Sequence, residues 1–454
     1  MITALVWFRQ DLRLADNPAL LAAIHAAQVV VPVFIWSPEE EGDWAPGGAA
    51  RWWLHESLRA LDASLRERGS QLVLARGPTV ETLRVLARDT GATQLYWNCR
   101  YEPAALRVEK MLSDELDAAG IIAHGFHSSR LVEPASVRGA SGDPLKVFTP
   151  FWRAFLAQAR IEAPEGSPAQ VPAPRTWPVS LPLALLGVLP HHPWHHKLAA
   201  HWQPGEAAAR TQLKTFVQRQ LAEYASTRDR PDLACTSRLS PYLRHGELSP
   251  RQVWTAVVRA LERSGIGAEA ARSDKYLAEL VWREFATQQL LLHPMLPERA
   301  SSPQFDSIPW RDAPRDFNAW TRGATGEDMV DAGMRELWQS GWMHNRVRMT
   351  TASYLVKNLL LDWRRGERWY WDTLVDADLA SNALNWQWVA GTSPDAAPWF
   401  RIFNPQSQAQ KFDPEGTYRR RYLDGGAPAR PAKPLVDLKE SRVRALDAYG
   451  KAVR

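Results

Sequence analysis

Thr3-Ala4-Leu5-Val6-Trp7-Phe8 opens the chain as a short apolar run of strand character. Four further runs of the same kind follow, at residues 29–35 (β-branched, interrupted by Pro32), 71–75, 94–97 and 121–124. Between them lie amphipathic patterns at residues 18–27, 51–68, 79–88 and 104–119. Strands that alternate with helices predict a parallel sheet covered on both faces, since each parallel connection must cross over it. The expectation is an α/β N-terminal domain over residues 1–130, built on a five-stranded, doubly wound parallel sheet. No G-x-G-x-x-G follows the first strand, so the usual dehydrogenase fingerprint is absent.

The chain has 454 residues, of which 45% are hydrophobic, enough for more than one core. A formal net charge of +5 permits a polyanionic partner without demanding one. Two cysteines, Cys99 and Cys235, argue against a disulfide framework and for a reducing compartment. The first residues lack the layout of a signal peptide, and no apolar run approaches the roughly 20 residues that cross a bilayer. A cytoplasmic protein without membrane contact is expected. Tryptophan is unusual: there are 22, half of them between Trp282 and Trp399. An aromatic core explains any one of them, whereas the density points to stacking or redox work.

Residues 131–205 are rich in Pro, Gly and Ser and read as an interdomain connector over the surface, with short ordered pieces. The run His191-His192-Pro193-Trp194-His195-His196 reads as a solvated loop, because Pro193 breaks any helical ligand spacing; no metal is expected. Residues 206–454 are expected to form an all-α domain. Helical periodicity covers residues 206–224, 250–263, 274–292, 327–340 and 346–363. Residues 401–454 hold 12 Lys/Arg against 6 Asp/Glu and read as a partly irregular basic tail.

Four clusters in the helical half mix polar groups with aromatics or cations. Tyr224-x-x-x-Arg228 precedes Thr236-Ser237-Arg238-Leu239-Ser240, whose hydroxyls and amides suit an anion cradle or, equally, a helix cap. Glu279 and Trp282 are three apart and share a helix face; taken alone, the segment reads as an amphipathic helix with a Glu279–Arg283 pair. Asn345 and Met349 share a face in Trp342-Met343-His344-Asn345-Arg346-Val347-Arg348-Met349, where cations interleave with aromatics as in nucleic-acid binding or on a solvated cationic face. Asn382 and Trp386 share a face beyond Asp376-Ala377-Asp378, where either aspartate could cap the helix and Asp376 could pair with Arg348.

Together these clusters resemble a class I DNA photolyase. The resemblance starts at Leu5-Val6-Trp7-Phe8-Arg9-Gln10-Asp11-Leu12-Arg13-Leu14. It continues through Lys146-Val147-Phe148-Thr149-Pro150-Phe151, residues 236–240, Trp282-Arg283-Glu284-Phe285, residues 341–349 and Arg401-Ile402-Phe403-Asn404-Pro405. The motifs run in order along nearly the whole chain. The resemblance implies FAD, active in its reduced anionic form, bound in the helical domain. Tyr224 and Thr236, Ser237, Arg238, Leu239 and Ser240 would hold its phosphates and nearby groups, and Trp282, Asn345, Asp376, Asp378 and Asn382 would also contact it, with Asn382 at the ring N5. Arg348 and Asp376 would pair beside the ring. DNA carrying a cyclobutane pyrimidine dimer would meet Arg228, Glu279, Trp282, Asn345, Arg346, Met349 and Trp388. A covalently joined, poorly stacked pair flips out at reduced cost, and excited flavin then splits it by electron transfer. Trp386, Trp363 and Trp310 match the family's relay from surface to flavin. The implied enzyme is a deoxyribodipyrimidine photo-lyase acting as a monomer.

Sister activities are separated by the same residues. Photolyases of the (6-4) lesion use two pocket histidines, whereas this chain has His344 and Met349; signalling cryptochromes depart at the pocket tryptophans and at N5, whereas Trp282, Trp388 and Asn382 stand as in repair enzymes. The resemblance leaves a second, antenna chromophore open: a deazaflavin, another flavin, a folate in a different mode, or none. Pro103-Ala104-Ala105 follows Tyr101-Glu102 where folate-binding relatives have Asn-Glu, and Ala383-Leu384-Asn385 replaces their Asn and Gly residues after Asn382.

Overall fold

A computed structural model describes the chain except residues 119, 191, 394, 396–400, 425–430, 432 and 453–454. His191 of the histidine run and Trp399 of the tryptophan-rich stretch lie outside the described residues.

The strands are β1 (Thr3–Phe8), β2 (Val29–Trp36), β3 (Val73–Arg76), β4 (Gln94–Asn98) and β5 (Ile122–Phe126). They form one five-stranded sheet in the order β3-β2-β1-β4-β5, all parallel, with Thr3 opposite Val29 and Ala4 opposite Gln94. Every residue of β1 and β2 is buried, as expected of central strands with helices on both faces. The crossovers are α1 (Pro18–Ala26), α2 (Gly48–Arg66), α3 (Thr79–Thr90) and α4 (Pro103–Ala118). Alternate side chains of β1 enter opposite cores: Ala4, Val6 and Phe8 on one face, Leu5 and Trp7 on the other.

The connector carries more structure than its composition suggests. Its helix α5 (Phe148–Gln158) buries Phe151 and Phe155 in the core of the helical half. The loop-forming residues lie around it, and the aromatic run Phe148–Phe155 supplies an apolar face they could not.

The helical half runs through α6 (Glu206–Arg219), α7 (Tyr224–Thr227), α8 (Ser240–Arg244), α9 (Pro250–Arg263), α10 (Ala268–Arg272) and α11 (Lys275–Leu292). It continues with α12 (Pro314–Arg322), α13 (Asp328–Ser340), α14 (Asn345–Ser353), α15 (Trp363–Thr373) and α16 (Leu379–Ala390). Helices α17 (Pro405–Phe412), α18 (Thr417–Leu423) and α19 (Leu438–Ala452) follow. Helix α9 has the bounds its sequence announces, because Ser249 and Gln252 close a capping box and Pro250 occupies the first turn.

Two expectations need correction. The periodic segment 206–224 ends as α6 at Arg219, before a short 3₁₀ turn at Leu221–Glu223 and then α7. The segment 346–363 is not one helix: α14 passes into a π turn at Tyr354–Asn358, Leu360 takes φ 53°, and Asp362 then caps the start of α15. The basic tail is partly irregular, as expected, and its ordered pieces are α17, α18 and α19, with Ala409, Tyr418 and Ala445 buried. No described helix is long and apolar enough to cross a membrane.

The two halves meet through buried polar contacts. Glu247 is fully buried and accepts hydrogen bonds from Trp53 Nε1 at 2.9 Å, from Ser57 Oγ and from the Gly205 backbone N–H at 2.5 Å. Trp53 and Ser57 belong to α2 and Gly205 precedes α6. Asp16 accepts from Ser249 Oγ and pairs with Arg251 at 2.6 Å.

Candidate functional site

Helices α14 and α16 bring the polar clusters of the helical half together. The Arg348 guanidinium grips Asp376 with two parallel hydrogen bonds, Nη2 to Oδ2 at 2.8 Å and Nη1 to Oδ1 at 3.2 Å. Such a fork is stronger and more directional than a single ion contact. Arg348 Nε also donates to the Met343 carbonyl at 2.7 Å, which fixes the plane of the guanidinium. Ser240 Oγ donates to Asp376 Oδ2 at 2.6 Å, and Trp342 Nε1 lies 3.4 Å from that hydroxyl. The hydroxyls of residues 236–240 therefore do not cap α8, whose first turn has no side-chain cap; Ser240 reaches across to Asp376 instead.

Arg238 takes φ 52° and lays its guanidinium over Trp202 at 4.2 Å and over Trp342 at 5.1 Å. Its Nε is buried without a hydrogen-bond partner among the described residues. Tyr224 is buried against Phe216 and Tyr276.

Asn382 on α16 donates through Nδ2 to the Glu367 carbonyl at 3.1 Å. The Glu367 side chain is fully buried, burial pushes its carboxyl well above the ordinary range, and neither carboxyl oxygen has a hydrogen-bond partner among the described residues. The buried Arg238 Nε, left open in the same segment as Ser240, fits a bound group with acceptors of its own. Asp378, not Asp376, caps α16, accepting from Ser381 N at 2.9 Å. Burial alone would raise the Asp378 carboxyl, but Arg130, Arg283 and Arg244 outweigh it and hold it below its usual range. Its carboxylate faces Arg130, just after the sheet half's last strand, at 3.3 Å.

A second group of residues forms a rim between α11, α14 and the end of α16. The expected Glu279–Arg283 pair does not form. Glu279 instead meets Arg228 at 2.6 Å and Lys275 at 3.2 Å, while Arg283 turns inward and donates to the Leu243 carbonyl at 3.2 Å. Asn345 and Met349 stand one turn apart on α14, with Nδ2 and Sδ 4.0 Å apart. Arg346 pairs with Asp229 at 2.8 Å. Trp282 and Trp388 are both half-buried; Trp388 stacks on Phe403 at 6.3 Å.

Phe148 has no role in the sequence reading beyond its motif. Its ring lies parallel to Trp282 at 3.8 Å and 9°, so one face of the indole is covered and the ring is held in place. Only the six-residue motif around it hinted at this, because a connector gives no periodic signal.

Trp386 and Trp363 are almost fully buried and Trp310 is half-buried. The ring partners of Trp386 are Tyr370 at 4.9 Å and Trp320 at 6.4 Å. Gly366 lets α15, which begins with Trp363, lie against that indole: a Cβ there would overlap Trp386 Cη2 and Leu355 Cδ2.

A cleft lies at the edge of the sheet half, closed on one side by Arg244 and His245 of the helical half. It opens at the carboxyl ends of β1 and β2, where open α/β sheets bind ligands, and is walled by Trp7, Phe34, Trp36, Arg9, Arg100 and Arg244. Ala104 and Ala105 also line it. Among the described residues no group of three His, Cys, Asp or Glu is placed to hold a metal ion; His192 caps a short 3₁₀ turn and His195 packs edge-on against His196.

Comparison with known proteins places this arrangement. Residues 4–174 match the family described as "DNA photolyase", and residues 276–431 match "FAD binding domain of DNA photolyase". The chain is 46% identical over 422 residues to a deoxyribodipyrimidine photo-lyase of Agrobacterium fabrum, covering 92% of this chain and 86% of that one. It is 39% identical to cryptochrome-1 of Arabidopsis thaliana over 92% of its own length and 62% of that protein's. Among solved structures, a class III photolyase from Agrobacterium tumefaciens superposes with a TM-score of 0.93 at 43% identity, over 100% and 98% of the two chains. A photolyase from Sulfolobus tokodaii, described with two FAD molecules, gives 0.83 at 27% identity, over 99% and 100%. With the α/β half, the FAD-binding helical half and full-length relatives all in agreement, the chain belongs to the photolyase and cryptochrome family.

Proposed function

We propose that this protein repairs cyclobutane pyrimidine dimers in DNA under blue light, as a deoxyribodipyrimidine photo-lyase. What supports the reading is the grouping of Glu279, Trp282, Asn345, Met349 and Trp388 on α11, α14 and the end of α16. Trp282 and Trp388 supply apolar walls, each worth ~1–3 kcal/mol of stacking, which offsets the few kcal/mol needed to flip a pyrimidine pair. Glu279 and Asn345 carry groups that would hydrogen-bond pyrimidine edges. Arg228 and Arg346 bring positive charge to the strand that enters it.

The residues around Arg348 and Asp376 suit FAD. Ser240, Arg348, Asp376, Asp378 and Asn382 would line the ring, and Tyr224 with residues 236–239 would hold the phosphate side. Reduced FAD supplies the electron that light drives to the dimer. The protein's part is electrostatic and positional: it stabilises negative charge beside Arg348, and it excludes water behind Trp386 and Trp363. Trp386, Trp363 and Trp310 would connect that site with the surface.

Repair of the (6-4) lesion fits less well. His344 is 2% exposed, its Nδ1 accepts the Arg346 backbone N–H at 3.2 Å, and burial pushes its imidazole down to about 4. It is a buried cap and not a pocket acid. The cleft at the strand ends suits a second chromophore, a folate, deazaflavin or flavin, whose planar ring Trp7 and Trp36 would flank.

An absorption spectrum of the purified protein, followed by blue-light repair of a thymine dimer, tests the reading. Bound, releasable FAD with repair is expected, and Glu279→Ala or Trp282→Ala should impair repair while FAD stays bound. A flavin spectrum without repair would identify a signalling receptor instead.

A further inference from the structure

The rim of the pocket is wired by alternating charges. Lys275, Glu279, Arg228, Asp229 and Arg346 form a chain in which each member faces the opposite sign, with N–O distances of 3.2, 2.6, 3.7 and 2.8 Å. Asp229 sits between the two arginines that the proposed function assigns to DNA, and it is the acid that holds Arg346. Arg346 is oriented by this pair: Nη2 is on Asp229, Nη1 points at the Met349 sulfur at 3.8 Å, and its guanidinium lies 5.0 Å over Phe412. The guanidinium is thereby held beside Met349 and Phe412, with its side chain 26% exposed.

That orientation treats two kinds of DNA differently. A strand that feeds a flipped pyrimidine pair into the pocket brings its phosphates to Arg346 where it stands. An intact duplex lying across the rim would compete with Asp229 for the same guanidinium N–H groups. We propose that Asp229 is a specificity-determining residue, which anchors Arg346 toward the pocket and so penalises binding to undamaged backbone. It is a positioning residue, acting through Arg346 without touching DNA. The inference rests on the photolyase reading above.

The test compares Kd for one oligonucleotide with and without a single thymine dimer, using the intact flavoprotein in the dark. In Asp229→Asn, affinity for undamaged DNA should rise by up to about fivefold, the scale of a partly exposed ion pair, while affinity for the dimer changes by less than about twofold. The salt dependence of undamaged binding should steepen by up to about 0.9 in log–log slope, the mark of one further neutralised phosphate. Asp229→Glu, which keeps the charge, should restore the wild-type ratio. Glu223→Gln changes net charge equally on a side chain that is exposed one turn earlier, and should leave the ratio alone. In an Arg346→Gln background, Asp229→Asn should have no further effect on the ratio. The bound-flavin spectrum reports folding in every variant; should Asp229→Asn lose its flavin, the same comparison is made with Asp229→Glu against Arg346→Gln, where only the latter should lower the preference for dimer. Equal rises for both DNAs, an unchanged ratio, or an undiminished effect without Arg346 would overturn the proposal. If the wild type shows no preference for dimer, the photolyase reading itself fails; if it shows the preference and the variants keep it, only the role of Asp229 falls.

Discussion

The sheet half and the helical half are both well buried, but with different materials. Strands β1 and β2 contribute almost pure hydrocarbon to two apolar layers, and their polar groups collect past the strand ends, where the cleft lies. The helical core buries Glu336, Lys357, Glu367, Thr351 and Asp376 among its leucines and tryptophans. Buried polar groups cost stability unless they are satisfied, so a core that carries many of them is built around something more than its own packing. One half has its cleft at its edge; the other places its polar groups in its interior.

The contrast can be broken by substitution. The largest effect is expected from Gly366→Val, which drives a side chain into Trp386 and Leu355; overpacking of this kind costs about 3–4 kcal/mol and should lower the Tm together with flavin content. Leu5→Ala, at a position 1% exposed in the sheet, should cost about 3 kcal/mol yet leave the flavin spectrum intact below the melt. Flavin loss from Leu5→Ala at low temperature would show that the halves are not separable in this sense. Arg348→Ala strips a 3%-exposed Asp376 side chain of its cation and leaves it the Ser240 hydroxyl; with Arg348 itself partly exposed, about 2 kcal/mol is expected, read as roughly thirtyfold weaker flavin retention.

The smallest effect concerns acid. Folded His344 titrates near 4, below its ordinary 6.5, so the unfolded chain takes up the proton first as pH falls. The stability it contributes is complete above pH 6.5 and is lost between 6.5 and 4. His344→Asn keeps a good helix cap and should recover about 1 kcal/mol at pH 5, seen as a flatter Tm against pH in that window. An unchanged slope would assign the acid sensitivity to other groups.

Much of this was legible in the sequence, for reasons that differ by element. Buried parallel strands read as uninterrupted apolar runs, so all five were visible, within about two residues at each end. The Arg348–Asp376 pair was readable because the two motifs share one partner chemistry. The break after α14 was not, because Tyr354–Asn358 keeps a helical apolar pattern while its hydrogen bonding shifts by one residue, and Leu360 shows no glycine to mark the turn. Arg283 misled by spacing: four residues separate it from Glu279, but Arg228 lies nearer in space and Arg283 is drawn into the buried cluster with Asp378. Phe148 showed only through its motif, since a loop-rich connector gives no periodic signal, and Asp229 was silent, since it lies between two arginines outside any motif.

Glu247 has a consequence for light capture. Its three donors fasten α2, which carries the rear of the cleft, to the chain entering the helical half. Excitation passing between two pigments falls off steeply with separation and varies with the angle between their transition dipoles. A riveted junction makes both quantities properties of the fold, so a pigment seated at the strand ends would hand its energy inward with one efficiency instead of an average over a swinging hinge.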